Sequence, residues 1–203
     1  MTSRSLNKRQ ALITATRRVA GQRGLASTTV RDIALEAAVS AGSVLYHYPT
    51  LDQLLAEAVD DVLDEFHRSR IAAVELVADP CEKLRVMIVH GVPDRITDSL
   101  RIVYESSAYV RAHPELLPMF RTIMQRQLSL YRQVLEIGVG LGAFRPRAPL
   151  AAVAQNILAL EDAYDYYAVA GDRIPVAVAR ANIIGYAELV LDCDLAEKTT
   201  KRE

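Results

Sequence analysis

The punctuation of its apolar pattern most constrains what this chain can fold into. Strict apolar/polar alternation, the mark of a half-buried strand, is nearly absent, while breakers return at regular intervals. Such a chain can bury its apolar residues only by packing helices on one another, and the reading is all-α. Local signals place the boundaries. Thr29 with Asp32, and Thr50 with Gln53, fit capping boxes. Asp79-Pro80 reads as an N-cap followed by proline at the first helical position. His113-Pro114 and Ile174-Pro175 mark further boundaries. Glycines at 138, 140 and 142 end one long helix and Gly171 another. The predicted helices are 6–23, 29–36, 40–47, 51–77, 80–93, 98–112, 114–138, 148–170 and 175–195, with a frayed tail from Ala196.

The first helices are short and tightly connected, and the later ones are long. That contrast divides the 203 residues near Pro49, into a head at 1–50 and a helical body at 51–203. Charge divides them in the same way. Residues 1–50 hold seven bases (Arg4, Lys8, Arg9, Arg17, Arg18, Arg23, Arg31) and two acids, net +5, and the remainder is net −6. A basic head suits a polyanion, although a solvated basic face gives the same count. No apolar run approaches the ~18–20 residues that span a bilayer. The polar start, MTSRSLNKRQ, has no apolar core of a secretory signal, so a soluble cytoplasmic protein without membrane contact is expected.

Within 28–48 two short helices flank Ala37-Ala38-Val39. Ile33 and Ala34 supply the inner side of the first, Val44 and Leu45 that of the second, and the small Ala34 and Ala37 let the two cross closely. This is helix-turn-helix logic, in which the N-terminal residues of the second helix enter the major groove of double-stranded DNA. Ser40 caps that helix, with Val39 and Val44 at the two positions of a hydrophobic staple. Ala41, Gly42 and Ser43 then lie near the bases, with Ser43 able to bond a base edge or a phosphate. Tyr46, His47 and, at the start of the first helix, Thr28, Thr29 and Arg31 are the expected backbone contacts. A plain helical hairpin is the bland alternative.

The run Val39-Ser40-Ala41-Gly42-Ser43, then Tyr46-His47-Tyr48-Pro49-Thr50, Asp52 and Leu54-Leu55, resembles the TetR family of bacterial regulators. So do Gly24, Thr28, Thr29, Val30, Ile33 and Ala34. The resemblance covers about residues 8–60 and is weaker beyond residue 70, where 138–144 and Leu160-Glu161-Asp162 look like the ligand-binding half of some members. It implies a three-helix DNA-binding module followed by a larger helical ligand-binding and dimerisation domain. It also implies a repressor that binds a palindromic operator as a homodimer and is released by a small-molecule effector. Three positions depart from the family pattern. Ala38 stands where glycine is frequent, and a positive φ there would cost on the order of 1 kcal/mol. Leu45 takes the place of a phosphate-contacting aromatic, whose role passes to Tyr46 or is lost. Leu51 takes the place of a basic residue. Tyr48 falls on an aromatic position that packs inside.

One head reads only a few base pairs, so a dimer must space two recognition helices one duplex turn apart. Helix 175–195 is apolar on several faces and 148–170 carries Ala152, Val153, Ile157 and Leu160. The resemblance implies that these two helices pair into a four-helix interface; burial within one monomer is the other reading. The segment 160–167 concentrates three acids and three tyrosines. Asn156, Leu160, Tyr164 and Tyr167 share a helical face that can line a pocket. Glu161 and Asp165 form a like-charge i, i+4 pair that calls for a positive neighbour, either a cationic ligand or an arginine such as Arg173 or Arg180. His67, Met87, His90, Tyr104, Ser107, Met124 and Tyr131 complete the candidate ligand set. The 51–77 helix is the natural lever between effector and head.

No motif calls for a cofactor, a metal or catalysis. The glycines at 138–142 make GxGxG after a helix rather than a phosphate loop. His47, His67, His90 and His113 form no HxxxH, and Asp64 with His67 reads as a surface pair. Cys81 and Cys193 read as ordinary thiols, with a redox sensor as the alternative. A helical enzyme or small-molecule carrier without DNA binding is the rival function.

Overall fold

A computed structural model describes residues 3–114, 117–171 and 174–196 of the chain. The residues beyond 196 in the expected tail lie outside them. The described residues form α1 (Ser3–Arg23), α2 (Val30–Glu36), α3 (Ala41–His47), α4 (Leu51–Val74) and α5 (Pro80–Gly91), then α6 (Asp98–Ala112), α7 (Leu117–Gly140), α8 (Leu150–Ala170) and α9 (Val176–Leu191). They contain no strand. Each expected helix is present, with ends shifted by a few residues. Local chemistry accounts for the starts. The Oγ of Thr29 accepts from the Asp32 amide, that of Ser40 from the Ser43 amide, and Oδ1 of Asp79 from the amides of Cys81 and Glu82. At the far end, α9 stops at Leu191 because Asp192 adopts a left-handed conformation, φ 49°. Helix α7 runs on through Gly138 to Gly140. Gly138 is needed there because a β-carbon would collide with the ring of buried Phe144.

Packing divides the chain into two units, Met1–Phe66 with Ile96–Ile123, and His67–Arg95 with Met124–Glu203. This differs from a cut at Pro49: the first two-thirds of α4 and all of α6 pack with the head. In the first unit, Leu12, Ile33, Ala34, Val44, Tyr48 and Leu54 form one core, and Leu25, Leu55, Val59, Val62 and Ile102 a second. Helix α6 is tied in by polar bonds as well. The Leu25 amide donates to Glu105 at 2.8 Å, and the Tyr109 hydroxyl donates to Asp52 in the first turn of α4.

In the second unit, α5, the end of α7, α8 and α9 enclose a larger core built on Leu84, Met87, Ile88, Leu135, Ile157 and Ile183. The residues after α7 close it, with the amides of Arg145 and Arg147 donating to the carbonyls of Leu191 and Val190. No helix among the described residues is long and apolar enough to cross a membrane.

Candidate nucleic-acid interface and effector site

Three backbone bonds between α2 and α3 make the turn: Ala37 N to Ile33 O, Ala38 N to Leu35 O and Val39 N to Ala34 O. Ala38 takes φ 52°, the positive value expected from its place in the pattern. Ser40, Ala41 and Gly42 are exposed at the start of α3, and Ser43 is half-buried. Val44 and Tyr48 face the core at 1 % exposure, whereas Tyr46 stands out at 84 %. Leu45, an expected apolar contact of the second helix, is 45 % exposed, and Tyr48 fills the inner position one turn on. The Tyr46 and His47 rings meet edge to face at 5.2 Å.

At the start of α2, Thr29 and Arg31 are exposed. Thr28 is not: it is 4 % exposed and its hydroxyl donates to the Gly24 carbonyl at 2.9 Å. Thr28 therefore anchors the turn and is removed from the expected backbone contacts. The hydrogen bond from the Thr29 hydroxyl, with Arg23 beside it, holds the Asp32 carboxyl below the usual carboxylate range. Much of the head's positive charge is balanced within this unit. Arg9 pairs with Glu57, Arg17 with Asp61 and Glu65, Arg18 with Glu36, and Arg23 with Asp32. Arg9 also lies 4.3 Å over the Tyr48 ring and donates to the His47 carbonyl, while the Tyr48 hydroxyl donates to Glu57 at 2.6 Å. These groups border a cleft of about 610 Å³ that Thr50 and Gln53 also line.

The second unit holds a buried polar cluster that the sequence did not assemble. Glu161 is 2 % exposed and Tyr131 fully buried. The Tyr131 hydroxyl donates to Oε1 of Glu161, and Arg70 donates to Oε2 at 3.1 Å. Arg70 also donates to Gln127 at 3.1 Å, and its guanidinium carbon lies 5.4 Å from the Tyr131 ring centroid. Burial pushes the Glu161 carboxyl up to about 7, against the opposing pull of Arg70 and Tyr131. Burial, and then the Glu161 charge, hold the Tyr131 phenol far above its ordinary range.

Residues 12–58 match the model of the bacterial regulatory proteins of the tetR family. Over those residues the chain is similar to the TetR family. Its relatives include the transcriptional repressor KstR2 of Mycolicibacterium smegmatis, 26 % identical over 71 % of each chain. Two solved structures share the fold. A TetR transcription regulator from Haloarcula marismortui superposes with a TM-score of 0.83 at 24 % identity, covering 91 % of this chain and 98 % of that one. A putative transcriptional regulator from Saccharomonospora viridis in complex with choline gives 0.80 at 20 %, covering 89 % and 95 %.

The remaining expected ligand residues are dispersed. Met87 is fully buried and Met124 packs against the same core, so both stand with Tyr131. His67 is half-buried, and His90 is exposed with Nε2 2.9 Å from Ser69 Oγ. Tyr104 and Ser107 lie on α6 and belong to the first unit, with the Ser107 hydroxyl donating to the Tyr104 carbonyl. The face expected to line a pocket is split, with Leu160 and Tyr164 half-buried against the core and Asn156 and Tyr167 exposed. Asn156 is exposed and donates to the Tyr186 hydroxyl at 2.7 Å, Tyr164 accepts from Asn182 at 2.8 Å, Tyr167 is 43 % exposed and Leu160 is half-buried. The inward face of α8 is Val153, Ile157, Glu161 and Asp165.

The positive neighbour of Glu161 is Arg70. Arg180 instead donates to the Val92 carbonyl and pairs with Asp94, and Arg173 lies outside the described residues. Cys193 is half-buried and its thiol is pushed up to about 12 by burial and by Cys81, which disfavours a reactive thiolate there. Among the described residues no group of three His, Cys, Asp or Glu is placed to hold a metal ion.

Proposed function

We propose that this chain is a TetR-family repressor that binds a palindromic operator as a homodimer and releases it when a small-molecule effector occupies the second unit. One observation carries the reading: α3 is capped, anchored by Val44 and Tyr48, and exposed along Ser40, Ala41, Gly42 and Tyr46. Small residues at its start let the backbone approach base edges, and Ser43 can bond them. Thr29, Arg31, Tyr46 and His47 take the phosphates.

The outer face of α8 and α9 supports the homodimer. Leu189 is 66 % exposed and Val178 47 %, in a surface that also carries Asn156, Tyr164 and Tyr186. The effector's polar handle is Glu161, with Tyr131, Met87 and Met124 around it. The structural relative crystallised with choline supports a small-molecule site in such a body.

The test is titration of the purified protein with the DNA flanking its own gene, beside random duplex of equal length. Preferential binding as a dimer, weakened about tenfold by Tyr46→Ala or His47→Ala in a chain that stays folded, supports the reading. Equal affinity for both duplexes at moderate salt sinks it.

A further inference from the structure

The Arg70–Glu161 pair is an ion pair in an apolar core, with Tyr131 and Gln127 as further polar partners. Such pairs are poor sources of stability, because desolvating both charges offsets their attraction, and apolar replacements of similar volume often serve as well. The pair therefore adds little stability beyond what an apolar contact of similar volume would give. Its shape is that of a cation receptor. A carboxylate and an aromatic face, both dry, surround a guanidinium, and these are the groups that recognise organic cations. We propose that Arg70 is the built-in occupant of a cation site formed by Glu161 and Tyr131, and that the effector is an organic cation that displaces it. This rests on the effector-responsive reading above.

Which partner can leave follows from the packing. Glu161 is wedged: Tyr131 donates to one oxygen, and Gly91 backs the carboxylate so closely that a β-carbon there would collide with it. Tyr131 is fully buried. Arg70 is the partly open one, its side chain 11 % exposed, on a long flexible arm. An anionic effector would have to evict the wedged group and would then meet Asp162 and the buried Asp165 on the same helix. A cation need only move the arm. Arg180 in this unit is held by Val92 and Asp94 and does not stand in for Arg70. Arg70 also sits on α4, whose first turn follows directly on the recognition helix α3 in the chain, so the arm that leaves is part of the expected lever.

The test uses the full chain and a pair of ions of equal shape and opposite charge, tetraphenylphosphonium and tetraphenylborate, with ethylguanidinium as a small occupant. Calorimetry should find the cation bound to the wild type more tightly than the anion. Arg70→Ala, which removes the internal competitor, should bind the cation about tenfold tighter or better. It should also gain thermal stability from millimolar ethylguanidinium, where the wild type gains none. Both gains should vanish in Arg70→Ala with Glu161→Gln. Arg70→Lys, which keeps a charge beside Glu161 but loses the planar guanidinium, covers the case in which Arg70→Ala does not fold, and should bind the cation more tightly than wild type. Preference for the anion, or cation binding unchanged by these substitutions, overturns the proposal. Operator release separates the two readings. Cations that bind the site without releasing operator refute the effector-responsive reading alone. Release by a ligand that acts equally on the double variant refutes the cation site alone.

Discussion

Gly91 and Glu161 share one space: a β-carbon at position 91 would fall inside contact distance of the Glu161 carboxylate. Glu161 has nowhere to retreat, because Tyr131 and Arg70 hold its two oxygens. Gly91→Ala is expected to destabilise the second unit by about 1–3 kcal/mol, the usual cost of overpacking. The same change made in a Glu161→Ala background should cost much less, since the colliding atoms are gone. Urea unfolding of the four chains measures both, and an equal cost in the two backgrounds would refute the steric account.

Glu161 also carries a pH dependence. Its carboxyl is raised from 4.5 to about 7, with burial as the leading cause. Between those values the folded protein keeps a proton that the unfolded chain has lost, so folding loses stability as pH rises through the interval. The thermal midpoint of the wild type should fall relative to that of Glu161→Gln between pH 5 and 7.5, the variant having no such proton. A difference that is flat or grows in favour of the wild type contradicts this.

Ala38 sits at φ 52° in the turn between the two reader helices. Left-handed backbone costs alanine roughly 1–2 kcal/mol, and glycine gives back about 0.4–1 kcal/mol through its freer unfolded chain. Ala38→Gly should therefore stabilise the head by about 0.5–1 kcal/mol. Denaturant midpoints report it, and a lower midpoint would count against the assigned strain.

Tyr48 and Arg9 position α3 without being expected to touch DNA. Tyr48→Phe removes the bond to Glu57 and leaves the ring in the core. Operator affinity should drop several-fold while the slope of log affinity against log salt stays constant, because no phosphate contact is lost. A shallower slope would make Tyr48 or its neighbours part of the contact surface.

Much of this was legible in the sequence because it is local. Thr29, Ser40 and Asp79 cap helices through amides two or three residues away, and the punctuation that announces them survives any tertiary arrangement. The positive φ at Ala38 is local too, part of the short hydrogen-bonded turn between α2 and α3. Leu45 and Tyr48 were harder. Both are large and apolar enough for a core, and only the packing of α1 and α4 against α3 decides that the tyrosine goes in, with Arg9 and Glu57 to receive its ring and hydroxyl.

Helices separated by regular breakers determined the all-α class, the helix-turn-helix and the residues at the start of α3, since each depends on neighbours in the chain. Tertiary structure alone decided that Glu161 meets Arg70, 91 positions earlier in sequence, rather than the nearer Arg180. It alone turned Asn156 and Tyr167 outward and Glu161 inward. A helical period places residues on faces but does not say which face is buried when one is rich in tyrosines and the other carries acids. A buried acid is tolerated only where a distant base, a phenol and a glycine converge on it, and that convergence is a property of the fold.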